Sequence, residues 1–270
     1  DGFILIFIYF YFAKMISYAR TTILFTDECY YACLSEYIAN FKFPVYLKGF
    51  YTERGMEIIT PPLIFMIAGM LKKLFGDGLF RFYNIFIIVV TTFTIWQFIN
   101  KHATSYLSRI TVLILLSSPL FFTEGLRFYA EHTTSLTFTL SLINLYMCLN
   151  QPKKHSILLT AFCFTLFNLS KQTGIITYPI LFISFLFYLV KKDYQKLFLI
   201  VKIGLWTIFL TLPFYLYLYS LTGSPIPWVI NVTAKQNLLL FPLIEEFKNA
   251  PDYWQKNQWR QLAFALKGYG

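Results

Sequence analysis

Apolar runs alternate with short polar stretches along the first 220 positions, and they predict membrane-crossing helices near residues 3–19, 82–99, 106–123, 131–149, 156–170, 173–190 and 197–219. Roughly 20 apolar residues are needed for a helix to cross about 30 Å of hydrocarbon, and the longer runs approach that length. The implied fold is all-α, a polytopic transmembrane helix bundle of seven spans. The run from Pro61 to Phe75 is too short to cross comfortably, opens on two prolines and carries Lys72 and Lys73 near its end. It predicts an external juxtamembrane helix lying at the interface, with the prolines at a helix start, where a missing N–H is harmless. After Ser220-Leu221-Thr222-Gly223-Ser224-Pro225 the apolar pattern breaks. Residues 1–220 therefore read as the membrane module, with an external loop at about 20–80, and residues 221–270 as an external segment opening a C-terminal region. The chain begins at Asp1 without a methionine and stops in a polar, Trp-containing stretch, so both ends are expected to be cuts in a longer protein.

Keeping the Pro61 helix on the surface decides the topology. Lys101 and Arg109, Lys153 and Lys154, and Lys191, Lys192 and Lys196 then fall in short loops on one side of the membrane. Short basic loops are cytoplasmic by the positive-inside rule. All of the 13 acids except Asp1 and Asp193 lie on the opposite side. The predicted location is a multi-pass protein of a bacterial inner membrane or of the ER membrane, with its chemistry facing the periplasm or lumen.

Composition agrees with the pattern: 57% of the 270 residues are hydrophobic, 21% aromatic and only 13% charged. A soluble domain carries about 25% charged residues. The net charge of +10 is spread between the apolar segments and forms no single stripe. That distribution suits topology signals and contact with anionic membrane lipids, and argues against a nucleic-acid partner. Cys148 and Cys163 fall in apolar runs, and Cys29 and Cys33 lack ligand-spaced neighbours, so neither pair defines a metal site. His102, His132 and His155 are scattered, and only His132 stands beside other candidate residues. No cofactor is implied, and a divalent-metal requirement stays open.

The acids and cations near span ends carry the chemistry. Asp27 and Glu28 follow the first span, Arg81 opens the second, Arg127 and Glu131 flank the start of the fourth, and Lys171 lies between the fifth and sixth. A carboxylate near the hydrocarbon boundary is costly unless it faces a polar cavity, which makes the Asp27-Glu28 pair a site by default. Carboxylates with several cations suit transfer from a lipid phosphate: cations neutralise the phosphate while a carboxylate takes the acceptor proton. Each member also has an ordinary reading. Arg81 and Arg127 serve equally well as snorkelling anchors, Lys171 as a helix-end cap, and Glu131 as the partner of Arg127 four positions earlier.

The arrangement resembles the GT-C superfamily of integral membrane glycosyltransferases, over about residues 20–190. Asp27-Glu28 with Tyr30 is similar to that family's first external loop, and Thr60-Pro61-Pro62-Leu63 to its Pro-Pro-Leu motif before an amphipathic helix. Leu74-Phe75-Gly76 followed by Arg81 resembles its Leu-Phe-Gly turn, Ser118-Pro119 leading to Arg127 and Glu131 its second acidic site, and Asn168-Leu169-Ser170-Lys171 its later Lys segment. The resemblance implies an inverting transferase with a polyprenyl- or dolichyl-phosphate sugar as donor substrate. It makes Asp27 the catalytic base, with Glu28 and Glu131 as further carboxylates of the catalytic site. Arg81, Arg127 and Lys171 become donor-phosphate ligands, and Tyr30, Glu57 and Thr60 substrate contacts. The implied acceptor is an external lipid, glycan or protein. Thr60 stands where many bacterial members have Lys or His, and Glu57 is not adjacent to the motif, so donor contacts at this point depart from the pattern. Similarity extends both to the ER dolichyl-phosphate-glucose glucosyltransferase and to bacterial lipid A and envelope transferases. The rival classes are a transporter or lipid flippase, expected to show paired repeats and midplane charges, and a noncatalytic membrane scaffold.

Overall fold

The computed structural model describes residues 2–21, 35, 62–75, 80–119, 121–122, 130–153 and 155–222. Among them are eight α-helices and no strand: α1 (Gly2–Thr21), α2 (Leu63–Phe75), α3 (Phe80–His102), α4 (Ser105–Ser117), α5 (Glu131–Asn150), α6 (Ser156–Asn168), α7 (Thr177–Val190) and α8 (Tyr194–Thr222). A 3₁₀ turn, Gln172–Ile176, joins α6 to α7. Residues 1–43 and 60–214 form one compact unit and residues 44–59 and 215–270 a second; the described residues lie in the first, apart from the end of α8. Asp27, Glu28, Cys29, Tyr30, Cys33, Glu57, Thr60 and Arg127, with residues 223–270, lie outside the described residues.

The chain is an all-α membrane protein, and each predicted span contains a helix. Three stretches, Phe82–His102, Thr173–Val190 and Tyr194–Tyr217, are long and apolar enough to cross a bilayer. The runs predicted at 106–123 and 156–170 form helices of 13 residues each. At 1.5 Å per residue such a helix is about 20 Å long. The first stops at Ser118, whose extended backbone (φ −67°, ψ 118°) is the conformation imposed on a residue that precedes proline, here Pro119. The second gives way to the 3₁₀ turn.

Among the described residues, two apolar clusters hold the helices together. Met15 of α1 meets Ile85 and Ile88 of α3 and Val112 and Leu116 of α4. Leu145, Cys148 and Leu149 of α5 meet Ala161, Phe164 and Phe167 of α6, Leu181 of α7, and Ile200 and Ile203 of α8. Large apolar side chains also cover the outside, among them Phe182, Ile183, Val190, Leu205 and Phe209. Such a surface is expected where lipid, not water, is the neighbour.

Several of the hydroxyl side chains in these helices bond to their own backbone. Thr91 donates its hydroxyl to the Ile87 carbonyl, Thr165 to Ala161 and Thr207 to Ile203, each four residues back. A hydroxyl that bonds its own helix has little polarity left to bury. On α5, Thr133, Thr137 and Ser141 form a buried stripe of small residues, and α5 packs on both α3 and α6. Small residues let helices approach closely inside a membrane. Asn144 links the α5–α6 seam, its carbonyl accepting from Thr160 Oγ1 at 3.2 Å and its amide donating to Cys163 Sγ at 3.5 Å.

Candidate active site

Three pairs draw helix ends together at one end of the bundle. At the start of α3, the hydroxyl of Tyr83 lies 2.9 Å from Thr133 Oγ1 at the start of α5. Glu131, the first residue of α5, forms an ion pair through Oε1 with Lys171, which precedes the 3₁₀ turn. Just before Lys171, the Leu169 carbonyl accepts from the backbone N–H of Leu63 at 2.8 Å. The first turn of a helix leaves N–H groups without intrahelical partners. Here the end of α6 supplies one of them, and so fixes where α2 begins.

Local sequence explains each anchor. Pro62 carries the first helical carbonyl of α2, which accepts from Met66 N–H at 3.0 Å, and Leu63, Ile64 and Phe65 are buried behind it. Met66, Met70 and Leu74 are exposed along the other side of α2. The turn that carries Lys171 depends on glycine. A Cβ on Gly174 would lie 2.3 Å from the Phe167 carbonyl oxygen and 2.6 Å from Asn168 Cα, both backbone atoms that cannot swing aside. Ser170 closes the end of α6 by donating its hydroxyl to the same Phe167 oxygen at 2.7 Å.

The Glu131 carboxylate has two unlike oxygens. Oε1 holds Lys171, whereas Oε2 is enclosed and has no hydrogen-bond partner among the described residues. The side chain is nevertheless 41% exposed and that of Lys171 30% exposed, so the pair reaches solvent. The adjacent His132 is only 3% exposed, with its ring edge-on to Phe121 at 4.8 Å and its Nε2 without a partner among the described residues. An open carboxylate–ammonium pair is suited to charged-group recognition. Among the described residues no cluster of His, Cys, Asp or Glu could hold a metal ion.

Of the residues singled out from the sequence, Glu131 and Lys171 are brought together, 40 positions apart in the chain. Arg81 lies in the first turn of α3, two residues before Tyr83. The segment that follows Thr60 is the one tied to Leu169. Asp27, Glu28, Tyr30, Glu57 and Arg127 lie outside the described residues. Tyr83 and Thr133 were not singled out. A tyrosine and a Thr133/Thr137/Ser141 stripe inside otherwise apolar runs were their available signal.

Fold and site together define an integral membrane protein of apolar helices with a charged pair and the tethered start of α2 at one end. Residues 60–219 match the family described as dolichyl-phosphate-mannose-protein mannosyltransferase, and the chain belongs to that family. It is thus a membrane glycosyltransferase of GT-C type that draws on a polyprenyl-phosphate sugar donor. Comparison with curated proteins and with solved structures returns no match.

Proposed function

We propose that the protein transfers one hexose, with inversion at the anomeric carbon, from a polyprenyl-phosphate donor to a hydroxyl or similar nucleophile on a periplasmic or lumenal acceptor. The observation that carries this reading is the meeting of Glu131 and Lys171 at the end of the bundle where Leu63, the first residue of α2, is tied to Leu169. A donor phosphate placed there would find Lys171 already at hand, with Arg81 contributed from the start of α3 and Arg127 from the sequence before α5. Asp27 takes the acceptor proton as the new glycosidic bond forms. The bond from the anomeric carbon to the phosphate oxygen breaks, and its electron pair leaves with the lipid phosphate. A phosphodiester-derived anion is stable at neutral pH, so the departure needs cations and no general acid. Glu28 and Glu131 orient the acceptor and the cations, and Tyr30, Glu57 and Thr60 contact substrate. The bundle crosses the membrane seven times, with the basic loops in the cytoplasm.

The family's description makes mannose the first sugar to test. Purified protein assayed with a panel of polyprenyl-phosphate sugars should turn over one of them. Asp27→Asn, which keeps shape and removes charge, should then lower turnover by about 10² to 10⁴ while donor binding survives. Glu28→Gln should cost less. Normal turnover by Asp27→Asn with a confirmed donor would remove Asp27 as the base.

A further inference from the structure

A concave feature lies at the other end of the bundle, far from Glu131. It is a groove of about 360 Å³ formed by the end of α3, the start of α4 and the second half of α5, and is lined by Phe98, Ile99, His102, Leu107, Leu142 and Tyr146 among others. Tyr146 is 15 residues along α5 from Glu131, a distance of roughly 22 Å along the helix axis. The groove therefore takes no part in the pair described above.

Its lining is mostly apolar and includes three rings in mutual contact. His102 packs on Phe98 with ring centroids 4.7 Å apart, and Tyr146 stands edge-on to both, at 5.5 Å from Phe98 and 5.6 Å from His102. The imidazole is held by its neighbours but remains exposed, as does Lys101 beside it in the last turn of α3. Arg109 lies one turn into α4, and the exposed Lys153 follows α5 at the same end. The surrounding loops are thus basic, whereas the groove itself is greasy.

We propose that this groove binds one anionic membrane phospholipid, with an acyl chain along Phe98, Ile99, Leu142 and Ile143 and the phosphate at Lys101 and His102. A volume of this size falls within the range of ordinary small-ligand pockets and suits a single chain. Clustered Lys and Arg beside the cytoplasmic end of membrane helices attract anionic head groups. A zwitterionic lipid would fill the groove equally well but would gain less from the cations. Charge therefore selects the occupant, and the apolar walls keep it.

The test uses the full chain in phosphatidylcholine vesicles doped with either of two probes carrying the same photoactivatable acyl chain, one a phosphatidylglycerol and one a phosphatidylcholine. The phosphatidylglycerol probe should label peptides spanning Phe98–Leu107 and Leu142–Tyr146 several-fold more than its zwitterionic counterpart. Unlabelled phosphatidylglycerol should compete on the wild-type protein, and inorganic phosphate should not. The double substitution Lys101→Gln with His102→Gln should erase the preference. Leu142→Trp, a filling substitution at a partly exposed wall position, should lower labelling by both probes. Equal labelling of the unsubstituted protein by the two probes, or labelling that unlabelled phosphatidylglycerol does not displace, would overturn the proposal without recourse to any variant.

Discussion

The backbone N–H of Leu63 donates to the carbonyl of Leu169 at 2.8 Å, joining the first residue of α2 to the turn that ends two residues later at Lys171. A helix end and a cation-bearing turn, more than 100 positions apart, are therefore one mechanical unit. Replacing Leu63 tests this, because the donor and the side chain can be removed separately. Leu63→Ala keeps the N–H and loses buried apolar surface. Leu63→Pro also loses the N–H, at a helix position that tolerates proline. The second variant should be less stable than the first by about 1 kcal/mol, the usual net value of one hydrogen bond. It should also bind donor more weakly. Equal melting temperatures and equal donor affinities would show that the bond does not position Lys171.

Gly174 sets the path of the same turn from the other side. Because the intruding Cβ of Gly174→Ala would meet backbone atoms at 2.3 and 2.6 Å, relief requires the turn to move away from the end of α6. Overpacking of this kind typically destabilises by about 1 to 3 kcal/mol. Lys171 should shift with the turn. Calorimetry of the purified variant should show the loss, and transfer assayed below the melting transition should fall as well. Wild-type stability would mean that the turn is loose enough to accept a methyl group.

The Glu131–Lys171 pair separates a structural role from a chemical one by magnitude. Both side chains are partly open to solvent, and pairs of that kind contribute at most about 1 kcal/mol to stability. A cation that meets the donor phosphate directly in a partly desolvated site contributes more, about 2 to 4 kcal/mol. Lys171→Gln should therefore melt close to the wild type while transfer falls by far more than the stability change allows. Glu131→Gln should likewise lower kcat with little change in melting. Variants that lose stability and keep their activity would make the pair a helix-end clamp and nothing further.

The helices were readable from the sequence because each apolar run must be shielded from water, and a helix is the form that satisfies its own backbone in lipid. Their ends were less so. The run through 106–123 carries its stop at Ser118-Pro119, yet hydropathy continues across it to Phe121 and Phe122. Spacing alone offers Arg127 as the partner of Glu131, four residues away on a helix face. Among the described residues the partner is Lys171, and that contact is set by how α5 packs on α6. The Leu63–Leu169 bond leaves no trace in side-chain identity at all, since both groups belong to the backbone. The groove at Phe98 and Tyr146 was equally hidden, because its aromatic residues have the same composition as a lipid-facing belt.

The orientation of the bundle remains the premise on which the placement of Asp27 rests, and the native cysteines allow it to be read directly. Cys148 and Cys163 are buried, so background labelling is expected to come from Cys29 and Cys33 in the first loop. In a variant with both replaced by Ser, single cysteines can be placed at Lys101, Lys153 and Lys191, all exposed positions at the basic end. With the basic loops in the cytoplasm, an impermeant maleimide added outside intact cells, or to the lumenal face of sealed vesicles, should miss all three until the membrane is permeabilised. Restoring Cys29 should return labelling without permeabilisation, since Cys29 neighbours Asp27 and Glu28. Labelling of the three introduced cysteines from outside, with Cys29 protected, would invert the topology and place the Asp27 loop in the cytoplasm. The lipid-phosphate chemistry proposed for that loop would then have to work on the opposite leaflet.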